Sequence, residues 1–424
     1  MVRIRFGVIL AAVLACLLAI QQNTVMAQGL TFRAAGPVNA SMGGASTACP
    51  IDAAGALYWN PATMMGLSNS QLSAGLEMLM PTSEISSTLP NGMGGGTTKG
   101  ECGANPVPAV ALVCRDPGSC FAWGFFMGII GGSKTNYAPS ESIMDNPILC
   151  NKEFYGHKYG YGNLTSSLQL MQIAPSVAFN ITENWSIGGG PTILLGSFDV
   201  NPVYYADGYG NPDGENGLLR GAGSRWAWGA GFQIGTYYDT HMGWRFGVNY
   251  KSQMWAEDFR MVCTAPNGST EELALDIDGP AVLTCGVSYD GFARWLFSFD
   301  VRYFFNKAAG LDRLHWNDIF SFNFGIQHQL TERLALRTGY VYSQVPYDDA
   351  ATRENLLSPL IPTHALFFGG SYRLSALSFH ATYGYMFKNT TTGPYGGYDA
   401  AALGGSVSST IGSHSVSMGV SVDF

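Results

Sequence analysis

The chain has 424 residues, a formal net charge of −8 and only 12% charged residues, against ~25% in ordinary globular domains. The acidic sign argues against nucleic acid as a partner, and the lack of an apolar run of about 18 residues beyond Ile20 excludes a helical membrane protein. Abundant glycine (54 residues) and 13% aromatics, with no long amphipathic helical period, point to strands. Strands that face lipid must close into a barrel, because hydrocarbon leaves no backbone group a water partner.

In chain order, Arg3 and Arg5 precede an apolar run over residues 6–20, and Val25-Met26-Ala27 has the small-residue character of a cleavage site, so residues 1–27 read as a secretory leader. Cys16 lies inside the apolar run, which argues against a lipoprotein. Removing Arg3 and Arg5 leaves 20 basic against 30 acidic residues, a mature charge of about −10. Residues 28–67 follow, rich in Ala and Gly and too short to build a core of their own. A wide barrel needs filling or leaves a channel, so this segment is expected inside the lumen as a hatch. It ends in "LYWNPATMM", where Pro61 fixes its own φ and biases Asn60 to extended geometry. Asn60, Pro61 and Ala62 then make a stiff bend between hatch and wall, although an ordinary turn before a strand reads equally well.

Residues 68–424 carry the barrel. About 14 candidate strands begin near Leu72, Val107, Phe121, Leu168, Trp185, Arg225, Met242, Ala281, Trp295, Ser321, Leu334, Leu366, Leu377 and His414, an even number, as bacterial barrels require. The alternation is plainest at the end, where Val416, Met418, Val420, Val422 and Phe424 interleave with small or polar residues. Elsewhere Trp244, Phe246, Val248 and Tyr250 alternate with Arg245, Gly247, Asn249 and Lys251, the pattern of a wall with lipid outside and a polar lumen inside. Short turns at "DPGS", "ITEN", "DTH", "DGFAR", "TER" and "SA" alternate with long polar connections. The short ones belong to the periplasmic side, as do both ends of the strand series. The terminal Phe424 is expected to be read by the barrel-insertion machinery.

The stretches "ASMGGASTACPIDAAGALYWNPATM", "FAWGFFMGIIGGSKTNY", "IAPSVAFNITENWSIGGG" and "WGAGFQIGTYYDTHMGWRFGVNYKS", followed by "LALRTGYVYSQVPYDDAATRENLLSPLIPTHALFFGGSYRLS", resemble, in order, the outer-membrane transporters of long-chain fatty acids and aromatic hydrocarbons of the FadL/TodX type. The resemblance covers essentially the mature chain. It implies a 14-stranded antiparallel barrel with an N-terminal hatch, in the outer membrane of a Gram-negative-type bacterium. The implied activity is passive, ATP-independent passage of hydrophobic molecules, with sideways exit into outer-membrane lipid at a kink in the third strand. That strand carries Gly124, Gly128, Gly131 and Gly132, which suit a kink and read equally as small lumen-facing residues. No enzyme, cofactor or metal is implied, and the chain is expected to be a monomer. A general diffusion porin and, less favoured, an outer-membrane hydrolase are the competing readings. An open pore has little use for some 40 lumen-filling residues, and no hydrolase motif surrounds the histidines, of which His315 lies near Asp318 in a loop.

Parity points Arg225, Arg245, Lys251, Arg302, Arg337 and Arg373 inward, against the inward acids Glu77, Asp300 and Asp423. Part of this basic set is expected to attract a ligand's anionic headgroup, since Arg grips carboxylates bidentately; pairing across strands or with hatch carbonyls is the alternative. Removing the leader leaves seven cysteines. Cys114 and Cys120 flank the "RDPGS" turn with like parity and are candidates for a disulfide, with Cys102 and Cys150 a weaker pair. "GAGFQIG" lies in a strand with no helix after it, and "DIDG" lacks the closing Glu of a calcium loop, having Val287 there instead, so neither is read as a nucleotide or metal site.

Overall fold

The structure, a computed structural model, describes residues 29–116, 118–150, 152–154, 157–158, 160–204, 218–219, 221, 223–264, 268–398 and 404–424. The expected leader, residues 1–27, lies outside the described residues. One antiparallel sheet of 16 strands dominates, and its two shortest members, Gly95–Lys99 and Trp255–Ala256, belong to loops. The remaining 14 form the wall. They are β1 (Gln71–Thr88), β2 (Asn105–Arg115), β3 (Phe121–Tyr137), β4 (Leu164–Asn180), β5 (Trp185–Asn201), β6 (Ala227–Asp239) and β7 (Trp244–Lys251), then β8 (Ala281–Tyr289), β9 (Trp295–Phe305), β10 (Ile319–Gln329), β11 (Leu334–Ser343), β12 (His364–Leu374), β13 (Leu377–Pro394) and β14 (Ser406–Asp423). Each pairs with its neighbours in sequence, and β1 pairs with β14 from Gln71↔Asp423 to Thr88↔Ser406, which closes the ring. Every expected strand is present.

Closure follows from the alternation. Trp123, Phe125 and Met127 on β3, Trp244, Phe246 and Val248 on β7, and Met418, Val420 and Val422 on β14 are exposed, while the residues between them are mostly buried or half-buried. Lipid, rather than water, is the solvent such a face suits. Aromatics pair across the wall beside the short turns: Phe121↔Phe179, Trp185↔Tyr238, Trp244↔Tyr289, Trp295↔His328 and Tyr372↔Phe379. This is a belt at the level where amphipathic rings favour a membrane interface. The short turns and the C-terminus share that end, and the long connections occupy the other.

Residues from Pro37 to Leu67 are almost all buried and are enclosed by the wall. They form α1 (Gly36–Ser41), α2 (Ala53–Trp59) and a 3₁₀ turn, Pro61–Gly66. Each start carries a local signal. Pro37 occupies the first turn of α1, the Asp52 carboxylate caps α2 at Gly55 N, and Asn60 Oδ1 caps the 3₁₀ turn at Ala62 N, satisfying amides that a helix start leaves free. Small residues let the wall meet this segment closely. A Cβ on Gly339 would strike the backbone of Gly43, and one on Gly188 would press on Pro61 and Ala62.

Candidate functional site

The lumen segment is bound to the wall mainly through its own backbone carbonyls. Asn60 Nδ2 donates to Thr47 O (2.8 Å) and across to Thr236 O of β6 (2.9 Å). Ser186 of β5 donates to Ala62 O, Gln233 of β6 to Leu57 O, Ser288 of β8 to Ala48 O, Asn323 of β10 to Gly43 O and Thr382 of β13 to Pro37 O. Arg115, at the end of β2, donates to Leu67 O. The Asn60-Pro61-Ala62 motif therefore links two parts of the lumen segment and joins both to the wall.

The centre of this attachment is charged. Asp300 and Arg302, two residues apart on β9, are fully buried and lie 3.3 Å from each other. Asp300 accepts from Ser46 N (3.0 Å), Thr47 N (3.1 Å) and Thr47 Oγ1 (2.7 Å). Arg302 donates to Arg33 O (3.0 Å) and Gly44 O, and its guanidinium lies 3.3 Å from the centre of the Trp59 ring. Lys251 is also buried, its Nζ 3.5 Å from the centre of the Tyr58 ring.

A cavity of about 420 Å³ lies beside β1, β2 and β3, above α1, within the range of small-molecule sites. Its inner lining includes Phe32, Arg33, Ala40, Glu77, Val107 and Phe367, and residues of the connection between β11 and β12, Pro359, Leu360 and Pro362, also line it. It also touches Leu76, Pro106, Pro108 and Ile129, whose parity puts them on the outer surface, so the cavity passes through the wall. The local sequence explains the gap. Pro106 and Pro108 bring no N–H to the ladder, and β2 pairs with β3 only from Ala109↔Gly128 onward. Beyond that level β3 bulges, its register to β4 jumping from Ile129↔Met171 to Gly131↔Leu170 and leaving Ile130 unpaired. Residues 30–32 add to the freed edge of β3: Phe32 N donates to Ile130 O (2.6 Å) and Gly132 N to Leu30 O (3.3 Å).

The sequence model of the outer membrane protein transport proteins (OMPP1/FadL/TodX) matches residues 17–424. The chain belongs to this family. It is an outer-membrane transport protein. The toluene transporter TodX of Pseudomonas putida shares 16% identity, with 92% of this chain and 99% of that one covered and a TM-score of 0.68. A Pseudomonas aeruginosa FadL homologue shares 15% over 93% and 100%, with a TM-score of 0.70, and the Ralstonia pickettii toluene transporter TbuX 18% over 92% and 99%, with 0.66. No curated protein matches the sequence.

Within this FadL/TodX-family barrel the six basic residues named from parity do not converge. Arg225 precedes β6, is exposed and lies 4.0 Å from Glu257. Arg245 sits at the short-turn end between Asp239 (3.1 Å) and Asp290, and Arg373 pairs with Asp423 at the same end. Arg337 donates to Gln327 (2.7 Å) and Ser371 (2.6 Å). Lys251 and Arg302 are covered by the lumen segment. None of the six lines the cavity, because parity gives the side of the wall and not the height along it. Lys134 lines it from the exposed side, and the cation that lines its interior is Arg33, which lies before the first strand and so outside the reach of strand parity. Its signal was available, since it is the only Lys or Arg between residues 28 and 67.

Gly131 and Gly132 follow the bulged Ile130 and line the cavity, whereas Gly124 faces Leu57 and Met64 and Gly128 faces Phe126 and β2. The expected Cys114–Cys120 disulfide is absent: both thiols are free, as are Cys102 and Cys150. The β2–β3 register sets Cys114 opposite Trp123, so the turn carries Cys120 past its supposed partner. His315 stacks on Tyr398 (3.9 Å between ring centres), and Asp318 instead accepts from Lys307 N and Tyr303 Oη. Among the described residues no group of three or more His, Cys, Asp or Glu side chains is arranged to hold a metal.

Proposed function

We propose that the chain is a passive channel for hydrophobic molecules, with a leader at 1–27, a hatch at 28–67 and a barrel at 68–424. A ligand reaches the cavity beneath the long connections and leaves sideways through the gap beside β3 into the outer leaflet. The observation that carries this reading is that the cavity is lined by both inward-facing and outward-facing residues where β2 ceases to pair with β3 and β3 bulges. An apolar solute loses roughly 0.8 kcal/mol for each CH₂ it exposes to water, so a lateral route into lipid avoids an unfavourable aqueous crossing. The toluene named for TodX and TbuX belongs to the class of solute that such a route suits. Long-chain lipids suit it equally.

A general porin is disfavoured by the filled lumen. The test is uptake into liposomes holding the refolded mature protein, offered aromatic hydrocarbons, long-chain lipids and small sugars. Faster ingress of a hydrophobic class with sugars excluded is expected. Free passage of sugars without hydrophobic preference would make the chain a porin.

A further inference from the structure

We propose that Leu360 selects among hydrophobic solutes by cross-section, keeping the roof of the cavity low enough to pass a slender chain and turn away a bulky cage. This rests on the reading that the cavity is the ligand site. Two surfaces that are not barrel wall bound that space. The hatch lies below, presenting Phe32, Arg33 and Ala40, and the connection between β11 and β12 lies above, presenting Pro359, Leu360 and Pro362. Pro359, Ile361 and Pro362 are buried, whereas Leu360 is half-buried and lines the cavity. It is the roof residue with apolar side-chain surface left for a solute to meet.

The roof is fixed in height. Arg33 Nη2 donates to Pro362 O (2.8 Å), so one hatch side chain ties floor to roof. Asn389 Nδ2 of β13 donates to Ile361 O (2.7 Å), Thr135 Oγ1 of β3 donates to Leu357 O (3.3 Å), and the Ser133 and Ser358 hydroxyls lie 2.9 Å apart. Ser133 and Thr135 follow the β3 bulge. Asn389 follows a second irregularity, where the β13–β14 register jumps from Met386↔Ser413 to Asn389↔Ile411. Both departures from regular pairing therefore face the same loop with polar side chains. Pro359 and Pro362 restrict its backbone further. Upstream, Asn355 accepts from Trp316 Nε1 (2.6 Å) and donates to Leu314 O (3.0 Å). A segment pinned from the hatch, β3 and β13 swings aside only by breaking several hydrogen bonds, so the Leu360 side chain sets the space beneath it. Solute length is not limited in the same way, because the cavity continues to the outward-facing Pro106, Pro108 and Ile129.

The experiment measures binding of decan-1-ol and adamantan-1-ol to the full mature protein in detergent micelles. The two probes have equal carbon counts and the same hydroxyl but different cross-sections. Their affinity ratio is compared among the native chain, Leu360→Ala, Leu360→Trp and Leu360→Met, which cancels their different transfer from the micelle. Leu360→Ala should shift the ratio toward the cage by about tenfold, an ordinary effect of relieving overpacking by about three carbons. Leu360→Trp should shift it toward the chain, and the volume-conserving Leu360→Met should stay within about twofold of native. Opposite shifts identify side-chain volume, because a roof merely loosened by substitution would move both variants the same way. Two results would overturn the proposal: ratios within about twofold of native in both Leu360→Ala and Leu360→Trp while decan-1-ol still binds, or shifts of the same sign in both. Should one of the two fail to fold, an unchanged ratio in the other overturns it alone. Binding of neither probe to the native chain would remove the cavity as the ligand site, and this proposal with it.

Discussion

Replacing Arg302 with Met should release the hatch while leaving the wall intact. Arg302 is fully buried and holds three things together: the Asp300 carboxylate at 3.3 Å, the carbonyls of Arg33 and Gly44, and the face of Trp59. Removing one member of a buried ion pair costs about 3–5 kcal/mol, because the other charge stays behind without its partner. Asp300 keeps donors from Ser46 and Thr47, which favours the lower end. Each orphaned carbonyl adds about 1 kcal/mol, and the lost ring contact on the order of 1 kcal/mol. The total, about 6 kcal/mol, falls on the attachment of the hatch, since apart from Asp300 on the same strand every partner of the Arg302 side chain belongs to the lumen segment. The assay is conductance in a planar bilayer, where the native protein should be silent and Arg302→Met should show ion-conducting openings at an unchanged heat-modifiable gel shift. The Asp300→Asn/Arg302→Met double variant should open less often than Arg302→Met, because no charge is left unpaired. A silent Arg302→Met with a native thermal midpoint would refute the reasoning.

Asn60→Ala removes the donors to Thr47 O and Thr236 O and the cap on Ala62 N, and should destabilise the hatch by about 2–4 kcal/mol, read as faster protease cleavage within residues 28–67. Burial of Asp52 outweighs the nearby Arg337 guanidinium and lifts its pKa to about 6. A carboxyl whose folded value is raised contributes stability below its unfolded pKa and loses it as pH rises through the folded one, so hatch stability should fall between pH 4 and pH 7, by at most about 3 kcal/mol from this group. Asp52→Asn should flatten that slope, and an equal slope in both proteins would remove Asp52 as the cause. Cys49, Cys102, Cys114, Cys120, Cys150 and Cys285 are free thiols, so no disulfide among these six should be reduced and reductant should leave their labelling unchanged. Maleimide should label exposed Cys120 and Cys285 in the folded protein, and buried Cys49, Cys102 and Cys150 only after unfolding.

The wall was legible because its signal is local and repeated. Trp244, Phe246, Val248 and Tyr250 declare their face within seven residues, and short turns mark one end of the barrel. The hatch was legible by exclusion, as a stretch too small and uncharged to stand alone. The site was less so. Parity placed Arg245 and Arg373 inside, yet both sit at the short-turn end against acids from neighbouring segments, Asp239, Asp290 and Asp423. Height along the barrel depends on the stagger of all the strands together, which no single strand encodes. Arg225 falls outside because β6 begins two residues later. The wall gap has a local signature, the Pro106 and Pro108 pair in "NPVPAV", but prolines at a strand's start are common enough that they do not by themselves mark a gap. Arg33 becomes part of the cavity only once the hatch is folded back against β3.

The most direct test of sideways passage is deletion of Ile130, the one residue of β3 without a partner on β4. The deletion removes the bulge and restores a continuous ladder next to the gap. Hydrophobic uptake into liposomes should fall to the protein-free rate while binding of the same solute in detergent persists. Uptake at the native rate by a correctly folded Ile130-deleted barrel would contradict passage through the wall.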